Sequence, residues 1–307
     1  MTCLRKILVT GAAGNIGGAL SQRLVEDADN EVLAIDDLST GSRSKLPDLT
    51  RRNVRFVKLD CNDFGALSSV MTSGGFDYVF HYAAVVWVHR TLQNPLAVLR
   101  DIDGIRNILE LSKNTGVKRV FYSSSSEVYG EPVEIPQNES TTPLNSRLPY
   151  AIVKNLGEAY FKSYQQEFGL DYTIFRFFNT YGPRQSSDFV LPRFVDAALH
   201  GRPLTIHGDG TQTRTFCYID DNIEAVVRSL YQGRLINETV NIGSDVEVSI
   251  LDLARMVKDR VGGSSEIVHL PPLPEGDMQR RCPDISKMRE ILGDRKSTRL
   301  NSSHEWI

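Results

Sequence analysis

Eight residues near the start constrain this chain more than any others: Thr10-Gly11-Ala12-Ala13-Gly14-Asn15-Ile16-Gly17, set directly after the apolar run Ile7-Leu8-Val9. Gly11 allows a sharp exit from a strand, Gly14 lets backbone approach a diphosphate, and Gly17 lets the following helix pack closely. The amides around Asn15 and Ile16 then stand at a helix N-terminus, where anions are favoured. A glycine triplet alone is weak evidence; the strand before it and the helix after it are the context that gives it meaning.

Further along, short β-rich runs alternate with helical stretches. Strands are expected at Lys6–Thr10, Glu31–Ile35, Val54–Lys58, Tyr78–His81, Arg119–Ser123 and Asp171–Phe178. Helices are expected at Ile16–Glu26, at Leu96–Leu111 with Ile102, Ile105, Leu109 and Leu111 on its apolar side, and from near Pro149 to Phe168. This is the pattern of an α/β, Rossmann-type doubly wound parallel sheet. After Gly182-Pro183 the spacing changes. A helix at Phe189–His200, a short strand at Leu204–His207 and a tight turn at Gly208-Asp209-Gly210 precede helices at Ile219–Tyr231, Ser249–Val261 and Pro283–Leu292. The expected division is 1–180, mainly dinucleotide-binding, and 181–293, a smaller substrate region interleaved with returning sheet elements.

Bulk properties narrow the function classes. A chain of 307 residues with 41% hydrophobic content buries a full core. Its net charge of -3 supplies no general field for a polyanion, so nucleic acid is not an expected partner and any phosphate is held locally. Cys3, Cys61, Cys217 and Cys282 form no CxxC pair, which suits a reducing compartment without a disulfide scaffold, and no metal site is expected. No apolar run approaches the ~20 residues of a membrane span, so a soluble cytoplasmic protein is expected. Residues 294–307 show no periodicity that buries a face, and the stretch from Lys296 to His304 resembles the translation of a sequencing adapter; a non-native tail is expected there.

Asp36 closes the second strand, where a carboxylate accepts hydrogen bonds from ribose hydroxyls and repels a 2′-phosphate, favouring NAD over NADP. Arg43 and Lys45 nearby oppose that preference. Asp60, after the third strand, is placed either at the adenine edge or in an ordinary surface turn. Tyr150 and Lys154 stand one helical turn apart, and an adjacent ammonium is expected to favour phenolate, making the tyrosine a base. In Ser123-Ser124-Ser125-Ser126-Glu127, polar groups follow a strand; a hydroxyl there both donates and accepts and so relays a proton, with Ser125 the first choice.

With these residues in view, the chain resembles the extended short-chain dehydrogenase/reductases that act as nucleotide-sugar epimerases, dehydratases and decarboxylases, over about Arg5 to Gly293. The resemblance implies NAD as cofactor, Ser125 as catalytic hydroxyl, Tyr150 as base and Lys154 as its ribose-binding partner. Phe178-Asn179-Thr180-Tyr181-Gly182-Pro183-Arg184 matches the segment before the family's substrate region, which places Asn179 near a substrate diphosphate. Arg214, within Gly208 to Phe216, and Arg281 are the implied diphosphate ligands, with Arg193 a further candidate. His207 stands where relatives often carry Tyr beside the base. Asp101 stands where they commonly carry Asn, and either alters substrate preference or pairs with Arg100. Val85, Val86, Trp87 and His89 are expected to shape the sugar pocket. A homodimer through Leu96–Leu111 and Pro149–Phe168 is implied too. Relatives continue past the position of Gly293, which implies a less stable or less completely closed protein here.

The implied reaction is C4 epimerisation of a nucleotide-diphosphate sugar, with a UDP-sugar favoured, through a transient 4-keto sugar. Ser126-Glu127 replaces the Asp-Glu pair of the dehydratases, removing the acid that expels a 6-hydroxyl. The order Ser125-Ser126-Glu127 is closer to the Thr-Ser-Glu of glucuronate decarboxylases and keeps formation of UDP-xylose open. A non-catalytic NAD-binding sensor or assembly protein is the remaining alternative.

Overall fold

Apolar runs without polar alternation suit strands covered on both faces, and they form the centre of the first unit of this structure. The protein is described by a computed structural model over residues 4–85, 94–262, 264–272 and 278–293. Val86, Trp87, His89 and the 294–307 tail lie outside these residues. The chain divides into a unit formed by 1–128, 147–176 and 223–240 and another formed by 129–146, 177–222 and 241–307.

In the first unit, strands β1 (Arg5–Thr10), β2 (Asn30–Asp36), β3 (Val54–Lys58), β4 (Tyr78–His81), β5 (Arg119–Ser125) and β6 (Asp171–Phe177) alternate with helices. The helices are α1 (Asn15–Leu24), α2 (Phe64–Gly74), α3 (Pro95–Leu99), α4 (Asp101–Thr115) and α5 (Pro149–Phe168). Asp63 caps α2 by accepting the Ala66 amide at 3.1 Å, and Pro149 supplies a preset φ in the first turn of α5. Gly169 ends α5 in the left-handed conformation, φ 70°, which it adopts without steric cost.

The helix expected over Leu96–Leu111 is interrupted at Arg100, where the Asp103 amide bonds back to the Arg100 carbonyl, an i to i+3 contact that tightens the turn. Its expected apolar side is in place: Ile105, Leu109 and Leu111 are buried and Ile102 packs against them.

The second unit carries β7 (Thr180–Tyr181), α6 (Val190–Leu199), β8 (Leu204–His207), β9 (Thr213–Thr215) and β10 (Cys217–Tyr218). Helix α7 (Ile219–Tyr231) and strand β11 (Glu238–Ile242) each have residues in both units. Strand β12 (Glu247–Ser249), helix α8 (Ile250–Val261), β13 (Ile267–Leu270) and α9 (Ser286–Leu292) complete the chain. Helices α6 and α8 bury Leu191, Phe194, Leu253 and Val257 against Leu204 and Ile206 of the parallel β8–β13 pair.

The large, mostly parallel sheet runs β11-β6-β5-β4-β1-β2-β3, a doubly wound order that reverses between β1 and β4. On one face Phe80 stacks on Phe121 at 4.2 Å between centroids, and Phe121 on Phe175 at 6.1 Å. On the other, Leu8, Val79, Val120, Tyr122 and Ile174 meet Leu67, Met71, Ile108 and Phe161 from helices. Among the described residues, no helix is long and apolar enough to cross a membrane.

Phe161 is fully buried, with its ring 4.7 Å from that of Tyr122. Phe161→Ala is expected to cost about 3–5 kcal/mol, read as a lower urea midpoint at unchanged slope.

Candidate functional site

The turn after β1 lies at the reversal of strand order, where open α/β sheets bind ligands. Gly11 has φ +67°, and a Cβ there would stand 2.6 Å from the Ala83 nitrogen. A Cβ on Gly17 would stand 2.3 Å from the Gly11 carbonyl oxygen. Neither position admits a larger residue without displacing backbone. Gly14 caps α1 without a side chain, and the first helical bond runs from the Gly18 amide to the Gly14 carbonyl at 3.1 Å. The amides of Asn15, Ile16 and Gly17 precede it as donors that the helix itself does not satisfy. This cradle of bare backbone fits a dinucleotide diphosphate.

Thr10 braces the turn. Its hydroxyl oxygen accepts the Tyr82 and Ala83 amides, both at 3.0 Å, and lies 2.9 Å from His81 Nδ1. Burial, reinforced by the Lys154 charge, lowers the His81 imidazole to about 3.

Asp36 Oδ2 accepts the Ala13 amide at 2.9 Å and Oδ1 the Leu38 amide at 2.8 Å. Burial raises its carboxyl above the usual range, while those two amides oppose the rise. Each oxygen retains a lone pair for a ribose hydroxyl. Burial lowers the Lys45 ammonium and the Asp36 charge opposes it, whereas the Arg43 guanidinium lies over the Phe56 ring at 5.2 Å. Asp60 is exposed and accepts the Asn62 amide at 2.9 Å.

Tyr150, Lys154 and Glu158 occupy one face of α5 at intervals of four, opposite the end of β5. The Ser125 hydroxyl is hydrogen-bonded to the Tyr150 phenol. Its oxygen accepts the Glu127 amide at 3.2 Å, which leaves its proton for the phenol. Lys154 Nζ donates to the Ser123 carbonyl at 2.6 Å and lies 5.0 Å from the Tyr122 ring centroid and 5.8 Å from that of Tyr150. Burial lowers this ammonium to about 8 against the opposing charges of Asp101 and Glu158.

The expectation that Lys154 favours Tyr150 phenolate is not met by the chain's own groups. Burial pushes the phenol well up, Ser125 pulls it back, and the charges of Glu127 and Asp101 raise it further. Desolvation outweighs a lysine aimed at a backbone carbonyl.

Asp101, first in α4, accepts the Val85 amide at 2.6 Å. Burial raises its carboxyl to about 6, opposed by that amide and by Lys154. Ser126 is buried and Glu127 half-buried in the 3-10 turn that follows β5.

The sequence reading missed a buried network behind these residues. Glu158 Oε1 accepts from Ser124 Oγ at 2.6 Å and from Arg176 Nε at 2.9 Å, and Oε2 accepts from Arg176 Nη2 at 2.7 Å. Two signals pointed to it: a carboxylate four residues beyond Lys154, and an arginine set among Ile174, Phe175 and Phe177 in β6.

In the second unit, Asn179 Nδ2 donates to the Thr215 carbonyl at 3.0 Å. Arg214, from β9, places Nη1 2.7 Å from the Met278 carbonyl, and Arg281 places Nη2 2.8 Å from the Met278 sulfur. Both arginines are buried and both reach Met278. Arg193 stands on α6, where burial lowers its pKa from the usual value. His207 Nδ1 lies 3.1 Å from the Pro271 carbonyl oxygen.

Because the Asp101 carboxyl is raised from 3.8 to about 6, the folded state holds its proton more tightly than the unfolded chain does. Its contribution to stability is present below the unfolded value and disappears as pH rises through about 6. The melting temperature of wild type is therefore expected to fall relative to that of Asp101→Asn between about pH 4 and 6, measured by differential scanning calorimetry. A constant difference across that interval contradicts the assignment.

Comparison with known proteins adds to this geometry. The chain matches the NAD dependent epimerase/dehydratase family over residues 7–243. It is 35% identical to an uncharacterized UDP-glucose epimerase, YtcB, of Bacillus subtilis, over 94% of this chain and 92% of that protein. It is also 35% identical to UDP-glucuronic acid decarboxylase 3 of Arabidopsis thaliana, over 94% and 83% respectively. Among solved structures, UDP-glucose 4-epimerase of Thermotoga maritima with UDP-glucose superimposes with a TM-score of 0.87 at 32% identity, covering 93% of this chain and 91% of that one. The glycine cradle and Asp36 fit the dinucleotide that this family requires, and the chain belongs to the NAD-dependent epimerase/dehydratase family of extended short-chain dehydrogenase/reductases, with NAD as its cofactor.

Proposed function

We propose that the protein epimerises a UDP-sugar at C4 through a transient 4-keto sugar. The observation that carries this reading is the grouping of Ser125, Tyr150 and Lys154 between β5 and α5, in the same unit as the glycine cradle. Bound NAD supplies reversible hydride acceptance, and its oxidised ring adds positive charge that favours phenolate. Tyr150 takes the proton of the C4 hydroxyl, while Ser125 donates to the same oxygen region and steadies the forming ketone. Lys154 holds the ribose and keeps a positive charge behind the phenol. With the keto sugar retained while it turns, return of the stored hydride to the opposite face of C4, as Tyr150 gives its proton back to the oxygen, would invert the centre without net redox change.

Asn179, Arg193, Arg214 and Arg281 are assigned to the diphosphate. Arg214 and Arg281 suit this task because planar guanidiniums satisfy phosphate oxygens in pairs. Asp60, Ser126, Glu127 and Asp101 are assigned supporting roles at the cofactor and sugar.

The order Ser125-Ser126-Glu127 favours one second reading, decarboxylation of UDP-glucuronate, in which the 4-keto group accepts the electron pair left by carbon dioxide. Simple dehydration lacks its acid, since Ser126 stands where that residue is needed.

Incubation with NAD and UDP-glucose, UDP-N-acetylglucosamine, UDP-glucuronate or dTDP-glucose, with products identified by mass and NMR, separates these readings. An isomer of unchanged mass is expected; carbon dioxide from UDP-glucuronate selects the second reading. Tyr150→Phe is expected to keep NAD binding and lose about 10²–10⁴-fold in turnover. Equal turnover in both proteins removes Tyr150 from the mechanism.

We also infer a homodimer through α3 and α5. Leu96 is 77% exposed, and Leu99, Ile152 and Leu156 are each above 40%, forming an apolar surface that a second copy would cover. Sedimentation equilibrium is expected to give twice the chain mass for wild type and the chain mass for Leu156→Glu.

A further inference from the structure

We propose that Glu158, clamped by Arg176, is a positioning residue for the reaction centre: it fixes the register of α5 on the end of β5, so that Ser125, Tyr150 and Lys154 meet at one place. The proposal rests on the roles assigned above to those three residues.

Residues 150, 154 and 158 share a helical face, and each is tied to one of three successive strand residues. Tyr150 bonds to the Ser125 hydroxyl, Lys154 to the Ser123 carbonyl at 2.6 Å, and Glu158 to the Ser124 hydroxyl at 2.6 Å. The last rung is the most rigid. Ser124 lies two residues beyond Tyr122, so both side chains project from the same face of β5, and the Tyr122 ring already stacks on Phe161 of α5.

Arg176 reaches Glu158 from β6 through two nitrogens, at 2.9 and 2.7 Å, a fork that leaves the carboxylate one orientation. The two side chains are 2% and 1% exposed. Lys162, half-exposed, lies farther off at 3.9 Å.

A buried ion pair is a poor source of net stability compared with packed apolar side chains. An apolar pair in its place would hold β6 to α5 equally well, but would have nothing to bond Ser124. What the ion pair adds is therefore the register of strand on helix.

Glu158 also acts on Lys154 by charge. The titratable groups facing that ammonium are Asp101 from α4, Glu158 and Tyr150 from its own helix, His81 from β4 and Tyr122 from β5. Only Asp101 and Glu158 among them favour its protonated form. Loss of the Glu158 charge therefore makes the ammonium easier to deprotonate.

Three variants test this. Ser124→Ala removes the rung and leaves the ion pair intact; Glu158→Gln removes the charge; Glu158→Gln with Arg176→Met avoids an unpaired buried guanidinium if the single variant fails to fold. Turnover of UDP-glucose with NAD and NAD affinity are measured for each. Lys154 is titrated by NMR in protein labelled with 13C at lysine Cε, its signal assigned with Lys154→Arg.

Ser124→Ala is expected to lose about ten- to hundredfold in kcat while the protein still binds NAD, since misplacement alone costs that much. Either Glu158 variant is expected to lower the Lys154 midpoint and to move the alkaline limb of the kcat profile to lower pH by the same amount. Wild-type kcat in Ser124→Ala, or an unmoved Lys154 midpoint in whichever Glu158 variant folds, overturns the proposal. If wild type converts no UDP-glucose, the assigned substrate fails, and the Lys154 midpoint by itself then decides the role of Glu158.

Discussion

Burying a lysine ammonium is unfavourable unless its hydrogen bonds and charge are met inside the protein, and the first unit is organised around meeting that demand at Lys154. The side chain is 3% exposed. A strand carbonyl, that of Ser123, takes its hydrogen bond, the Tyr122 ring lies beneath it, and carboxylates from α4 and α5 supply opposing charge. To deliver those groups, β5, α4 and α5 must stand in fixed relation. The same relation brings Tyr150 to Ser125.

This arrangement leaves the tyrosine strongly protonated when only the chain's own groups are counted, which places the source of activation elsewhere. The scaffold contributes a hydroxyl with its proton already directed, a lysine whose charge is easily moved, and a desolvated pocket in which any added positive charge acts strongly. Asp101 brings a carboxyl that burial raises to about 6, so the electrostatics of this pocket vary with pH over a range in which an asparagine would be silent.

Much of this was legible in the sequence. The central strands were readable because parallel strands covered on both faces are unbroken apolar runs, as in Ile7-Leu8-Val9 and Val120-Phe121-Tyr122. The glycine turn was readable because its spacing reflects backbone contacts that side chains would block. Strands β7, β9, β10 and β12 were not, since two or three residues carry no period. The interruption at Arg100 was hidden as well, because Arg100 keeps helical dihedral angles and only the hydrogen-bond ladder changes. At the site, Tyr150 and Lys154 were found from spacing, but the direction of the lysine was not: a helical wheel shows which residues share a face, not which carbonyl on the neighbouring strand claims the ammonium. Glu158 and Arg176 escaped for the same reason, as partners from separate elements whose meeting depends on packing.

The Thr10 hydroxyl has one further consequence. Its oxygen holds the Tyr82 and Ala83 amides and lies 2.9 Å from His81 Nδ1, so the imidazole is packed into the same polar knot that braces the turn. Deep burial, which lowers its imidazole to about 3, makes His81 a spectator at physiological pH: the side chain most often suspected of shuttling protons is here a neutral strut between the nucleotide turn and the adjoining strand.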